Sequence, residues 1–243
     1  MALHRFLRFE NRDSLTSGVA SLLIQAMCAR QKETGKVSLC LTGGTLANEI
    51  YDHMAVIGSE YPLKANKVHL WWNWDYFVPL DNPVRNSLAA LSRLGGAFSF
   101  DPAKIHPIPS STVTSDPEAG AEQYAQELIE SPRIDICLAE LTANGQIAGI
   151  FPQHLISPVS SLVAGITDAP LVHSEVVTMT RAGLNTCREV WLLAQGEQVA
   201  PIIERTANHD PHIPASYIKG SETLLCLTDT AAASRLPFHH CSL

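Results

Sequence analysis

VSLCLTGGTLANEIYDHM, residues 37–54, decides the reading of the fold. Val37–Leu41 is a short, nearly all-apolar run of the kind buried on both faces of a parallel sheet. Thr42-Gly43-Gly44-Thr45 interrupts it with a turn, and helical spacing continues from there to about Met54. Two glycines let the backbone come close to a ligand. The helix that follows offers free N–H groups and a partial positive charge, and Thr42 and Thr45 add hydroxyls. An oxyanion such as phosphate suits that place, although the same turn also serves as a bare strand-to-helix connection. The spacing is neither that of a P-loop nor that of a G-x-G-x-x-G dinucleotide loop.

The alternation extends in both directions. Residues 13–32 carry apolar positions at helical spacing behind a cap at Asp13 or Ser14. Val68–Trp72 reads as a strand, and residues 86–94 as a helix after a loop of Pro, Asp and Asn. Asp116–Glu130 is an amphipathic helix with Pro117 in its first turn. Ile134–Leu138 is a further strand. Val176–Thr180 and Glu189–Ala194 read as two more, separated by a turn around Gly183. A helix is expected from Gly196 and a last strand over Thr223–Leu227. The pattern predicts a three-layer α/β/α sandwich around a mainly parallel, Rossmann-like sheet. One domain covering residues 1–243 is expected, with 107–117 as a long loop.

The chain of 243 residues has 46% hydrophobic and 17% charged residues, in the ordinary globular range. A formal charge of −7 disfavours nucleic acid as a partner. No apolar run is long enough to cross a bilayer, and the start, MALHRFLRFENRD, is too charged for a secretory signal. The six cysteines show no C-x-x-C pair. They read as buried free thiols in a reducing compartment, so a soluble cytoplasmic protein is expected. The ten histidines have no metal-ligand spacing, and no metal or cofactor is implied. The serines lack a G-x-S-x-G elbow, which disfavours a triad hydrolase.

Asp135–Pro152, DICLAELTANGQIAGIFP, has the build of a catalytic loop after a strand. Asn144-Gly145 signals a turn. Asn144 and Gln146 are amides that hold a ligand but do not shuttle protons, and no group of this segment is expected to exchange a proton near neutral pH. Asp75, in Asn73-Trp74-Asp75-Tyr76, is the carboxylate that aromatic neighbours would desolvate into a base; the bland alternative is a solvated loop aspartate. Arg85 and Asn86 would bring a cation and an amide to the same crevice, unless Arg85 is an ordinary surface arginine. His154 is the histidine adjacent in sequence to the loop, with a surface role as the simpler reading.

Together these segments resemble the 6-phosphogluconolactonase family of the glucosamine-6-phosphate isomerase/deaminase superfamily, over nearly the whole chain. LCLTGGTLANEIY is similar to the family's strand and S-G-G-S/T phosphate loop. VHLWWNWDYFVPLDNPVRNS is similar to V-x-x-F-W-G-D-E-R-x-V-P…S-N. DICLAELTANGQIAGIFP matches D-L-x-L-L-G-M-G-P-D-G-H-T-A-S-L-F-P without a gap, and LNTCREVWLLAQGEQVA and PASYI follow its later segments.

The resemblance implies a role in the pentose phosphate pathway, with a phosphorylated sugar or lactone as ligand. It places the phosphate on Thr42, Gly43, Gly44, Thr45 and Asn86. It also implies losses. The acid/base histidine falls on Gln146 and the preceding aspartate on Asn144. Trp74, Asp75 and Tyr76 stand for D-E-R, and two phosphate-binding cations fall on Val176 and Val199. Glutamine does not titrate, whereas histidine does so near about 6.5. Hydrolysis of 6-phosphogluconolactone is therefore expected to be weak or lost, with Asp75 or a water on Gln146 standing in as base and Arg85 as cation. The alternatives are a non-catalytic regulatory member with a protein partner or homo-oligomer, and a pocket where Trp74 and Tyr76 stack on an uncharged ligand.

Overall fold

The computed structural model describes residues 3–152 and 161–237. Among these described residues, ten strands and six α-helices run in chain order: β1 Leu3–Phe9, α1 Arg12–Thr34, β2 Val37–Leu41, α2 Thr45–Ile57, β3 Val68–Trp72, β4 Trp74–Tyr76, α3 Asn86–Leu94, β5 Ile105–His106, α4 Pro117–Glu130, β6 Ile136–Glu140, β7 Val163–Ile166, β8 Val176–Met179, α5 Arg181–Thr186, β9 Glu189–Ala194, α6 Ala200–Ala207 and β10 Thr223–Asp229. Seven strands form one all-parallel sheet in the order β1-β10-β9-β6-β2-β3-β5, flanked by helices. The expected layered, mainly parallel α/β fold is what forms.

Every residue of β2 is buried, which explains its nearly all-apolar run at the middle of the sheet. From β2 the chain goes first to β3 on one side and later to β6 on the other. Strand order reverses there, and in open α/β sheets the crevice outside the carboxyl ends of the strands at such a reversal is the ligand position.

Two buried tyrosines fix the strand ends that border this crevice. The Tyr51 hydroxyl, from α2, accepts from the Thr42 amide at 3.0 Å and donates to the Thr42 carbonyl at 2.9 Å. The Tyr124 hydroxyl, from α4, does the same for Trp72, at 2.9 and 3.0 Å. Past the last ladder bond a strand end still has polar groups to satisfy, and each phenol engages the amide and the carbonyl of one residue.

Three sequence expectations need correction, and one strand had no expectation at all. The strand at 176–179 is in a separate antiparallel sheet, β4-β8-β7, where Trp74 pairs Thr178 and Tyr76 pairs Val176. The turn around Gly183 is the short helix α5. The cap of α1 is Asn11, whose side chain accepts from the Ser14 amide while the Ser14 hydroxyl accepts from the Asn11 amide. The first strand, β1, was not anticipated: it is an edge strand with charges at Arg5 and Arg8, and such charges guard sheet edges. Among the described residues, no helix is long and apolar enough to cross a membrane. Four of the five described cysteines are buried, and all five are free thiols.

Removing the Tyr51 hydroxyl strands a buried amide and carbonyl at the crevice. Tyr51→Phe should lower stability by about 1–3 kcal/mol in urea unfolding; an unchanged midpoint would show that Thr42 finds other partners.

Candidate functional site

The carboxyl ends of β2, β3 and β6 bring together the Thr42–Thr45 turn, the Asn73–Tyr76 segment and the loop after Glu140. Thr42 and Gly43 are buried, Gly44 is partly so, and Thr45 is exposed. Gly44 caps α2 at φ 128°, and a Cβ there would fall 2.1 Å from Glu140 Oε2. A Cβ on Gly43 would fall 2.0 Å from the Asn86 amide oxygen. Gly44 is favoured by its φ, and both glycines leave room for side chains that close on the turn. Asn86 Nδ2 also donates to the Trp74 carbonyl at 3.2 Å, so the amide that abuts the turn is anchored to the start of β4.

Glu140 is the residue that reading the sequence overlooked. β2 and β6 pair Leu39 with Ile136 and Cys40 with Cys137, and the same register carried three residues on sets Glu140 level with Gly43. Its Oε2 accepts from the Ala47 amide at 3.2 Å, in the first turn of α2. Burial pushes the Glu140 carboxyl up to about 7, against the pull of the Ala47 and Leu46 amides and the Arg12 guanidinium, while Glu49 adds to the rise. The expectation that Asp135–Pro152 holds no group able to exchange a proton near neutrality is thus overturned, because the sheet brings this strand-end carboxylate under a helix. A signal was present: in the gapless match to D-L-x-L-L-G-M-G, Glu140 stands where the motif has its first glycine.

Asp75 is fully buried and its oxygens are fully engaged. Oδ1 accepts from the Tyr76 and Asn86 amides at 2.9 and 2.7 Å. Oδ2 accepts from the Ser87 amide and hydroxyl at 3.2 and 2.7 Å and lies 3.2 Å from Arg85 Nη2. Desolvation pushes this carboxyl above the usual range, opposed by Arg85 and the Ser87 hydroxyl. Asp75 is placed as the anchor of the first turn of α3, not as a base facing a ligand. Arg85 is likewise fully buried and donates to the Ile108 carbonyl, so its guanidinium serves the interior.

The loop after β6 is held by its own amides. Asn144 Oδ1 accepts from the Gln146 amide at 3.1 Å, and Gly145 turns at φ 82°. The Gln146 side chain is buried and donates to the Ala148 carbonyl at 2.8 Å. Ala148 adopts φ 51°, an uncommon backbone state for a residue with a Cβ. The Gly149 amide donates to Thr178 Oγ1 at 3.0 Å, fastening the loop to β8. Val176 and Val199 are buried in the core. The Trp74 and Tyr76 rings meet edge to face at 5.2 Å, with Trp74 buried. His154 lies outside the described residues. Among the described residues, no group of three or more His, Cys, Asp or Glu is arranged to hold a metal ion.

A parallel sheet with a glycine turn at its order reversal defines an α/β protein with its crevice at the carboxyl edge. The family described as glucosamine-6-phosphate isomerases/6-phosphogluconolactonase matches residues 10–226, and the chain belongs to that family. It is 29% identical over 241 residues to a 6-phosphogluconolactonase of Streptomyces coelicolor, covering 93% of this chain and 92% of that one. A Mycobacterium leprae 6-phosphogluconolactonase is 29% identical over 231 residues, 90% of this chain and 91% of that protein. The solved 6-phosphogluconolactonase of Trypanosoma brucei superposes with a TM-score of 0.82 at 19% identity, over 98% of this chain and 100% of that one. That of Thermotoga maritima gives 0.80 at 20% identity, over 94% and 100%.

A raised Glu140 pKa fixes the sign of a stability effect. The folded state holds the proton up to about pH 7, whereas the unfolded chain releases it near 4.5. The folded state therefore binds more protons between these values, and stability from this group is lost as pH rises through that window. Relative to Glu140→Gln, the wild type should lose melting temperature from about pH 5 to about pH 8. A constant difference between the two proteins would contradict the shift.

Proposed function

We propose that this protein is a 6-phosphogluconolactonase-like member of its family that takes a phosphorylated sugar or lactone in the crevice between β2 and β6, with hydrolysis of 6-phosphogluconolactone weak or lost. The observation that carries the reading is Gln146. It stands where the family motif has histidine, and its amide is spent on the Ala148 carbonyl of its own loop. An amide does not accept a proton from attacking water near neutrality, and losing a general base typically costs roughly 10²–10⁴ in rate.

Three further features support weakened turnover. Asp75 has its oxygens filled by donors from α3, so it is poorly placed to replace the base. Arg85 is buried, with its Nη2 engaged by Asp75 and the Ile108 carbonyl. Val176 and Val199 offer an anion no charge-assisted hydrogen bond, each of which is worth roughly 1.5–3 kcal/mol. The glycine turn and Asn86 remain as the expected phosphate cradle, with Asn144 and Gly145 shaping the loop beside it.

Lactone hydrolysis measured for the wild type beside Gln146→His tests the reading. The wild type should exceed the buffer rate by little, and the histidine should raise kcat by roughly tenfold or more. A wild-type rate already several orders of magnitude above buffer would overturn the loss of hydrolysis.

A further inference from the structure

The amides at the start of α2 are an anion seat by construction. The helix is 13 residues long, and its cap, Gly44, has no side chain to satisfy them. The seat is already filled by a carboxyl group belonging to the protein. Glu140 reaches across from β6, places Oε2 3.2 Å from the Ala47 amide, and lies where any Cβ on Gly44 would collide with it. The same turn is the expected landing place for a ligand's phosphate.

We propose that Glu140 is an internal competitor for the anion seat at the start of α2, so that a phosphate or other oxyanion enters only when this carboxylate withdraws or takes up a proton. This deepens the proposed function and rests on it for the identity of the ligand, a sugar phosphate. Two negative groups do not share one set of amides a few ångströms apart without large repulsion. The residue therefore sets which anions the crevice admits and under which conditions.

The groups facing Glu140 come from two helices. Arg12 of α1 is tied to Glu49 of α2 by two hydrogen bonds, Nε to Oε2 at 2.8 Å and Nη2 to Oε1. Arg12 thus arrives with its charge already partly met by Glu49. The Arg12 guanidinium is held above its usual range and stays charged throughout. Tyr51, also on α2, has its hydroxyl pushed far up by burial and stays neutral. Neither changes charge near neutrality, whereas the Glu140 carboxyl, pushed up to about 7, does. The seat is accordingly expected to open as pH falls through neutrality.

Sulfate is a suitable probe because it remains a dianion across this range. Its binding is measured calorimetrically at constant ionic strength, at about pH 6 and about pH 8.5, for the full chain and for Glu140→Gly and Glu140→Gln. The wild type should bind sulfate at least about tenfold more tightly at the lower pH, as the carboxylate is discharged. Both variants should bind at the higher pH as tightly as the wild type does at the lower one, with little pH dependence. Glu140→Gln keeps the shape of the side chain, so it reports on the charge even if Glu140→Gly fails to fold. Equal sulfate affinity of the wild type and folded variants at the higher pH overturns the proposal, as does absence of sulfate binding in all three. A parallel titration with 6-phosphogluconate separates the two readings. A variant that binds sulfate but not 6-phosphogluconate upholds the competitor role and refutes the sugar phosphate as ligand.

Discussion

The first turn of α2 leaves backbone N–H groups that no residue within the helix can satisfy, and in this chain the carboxylate of Glu140 accepts from that turn. The contact is possible because of two constraints that act together. The parallel register of β2 and β6 brings Glu140 level with the glycine turn, and Gly44 offers no Cβ to obstruct it. The Tyr51 hydroxyl fixes the other side of the turn by engaging both polar groups of Thr42. At the reversal of strand order, the polar groups of the turn are therefore met by neighbouring side chains.

The same inward satisfaction recurs around the crevice. Asp75 and Arg85 pair with each other in the interior and hold the first turn of α3. A buried pair of this kind gives little net stability over an apolar replacement, but removing one partner leaves a charge uncompensated, typically at about 3–5 kcal/mol. Asn144 and Gln146 close their own loop. On the proposed reading, groups that would otherwise be offered to a ligand are spent on the scaffold, which keeps the family's fold while weakening its chemistry. Fold and chemistry separate in this way because a fold is held by its core and an activity by a few side chains at strand ends.

Much of this was legible in the sequence. The buried run Val37–Leu41, the glycine turn after it and the helix from Thr45 were recognisable because their signals are local and strong. β1 was not, because Arg5 and Arg8 make an edge strand look like a charged tail. The antiparallel placement of Val176–Met179 was not, because apolar periodicity identifies a strand but not the sheet it joins. Reading Asp75 as a desolvated base foresaw its burial but not that the Asn86 and Ser87 amides would turn toward it. Glu140 looked like the polar end of a strand. Only the register of β6 against β2 shows that it reaches a helix terminus, and only that burial lifts its carboxyl to about 7. Charged groups at strand ends are where local pattern and tertiary contact most readily part company.

A carbon NMR titration of the Glu140 side-chain carboxyl, recorded without and with saturating sulfate, addresses the occupied anion seat most directly. The midpoint should lie near about 7 and move higher when sulfate is present, since a bound dianion makes the carboxylate harder to form. A midpoint near 4.5, the ordinary value for glutamate, and unmoved by sulfate would mean that Glu140 sits in water and leaves the start of α2 to others.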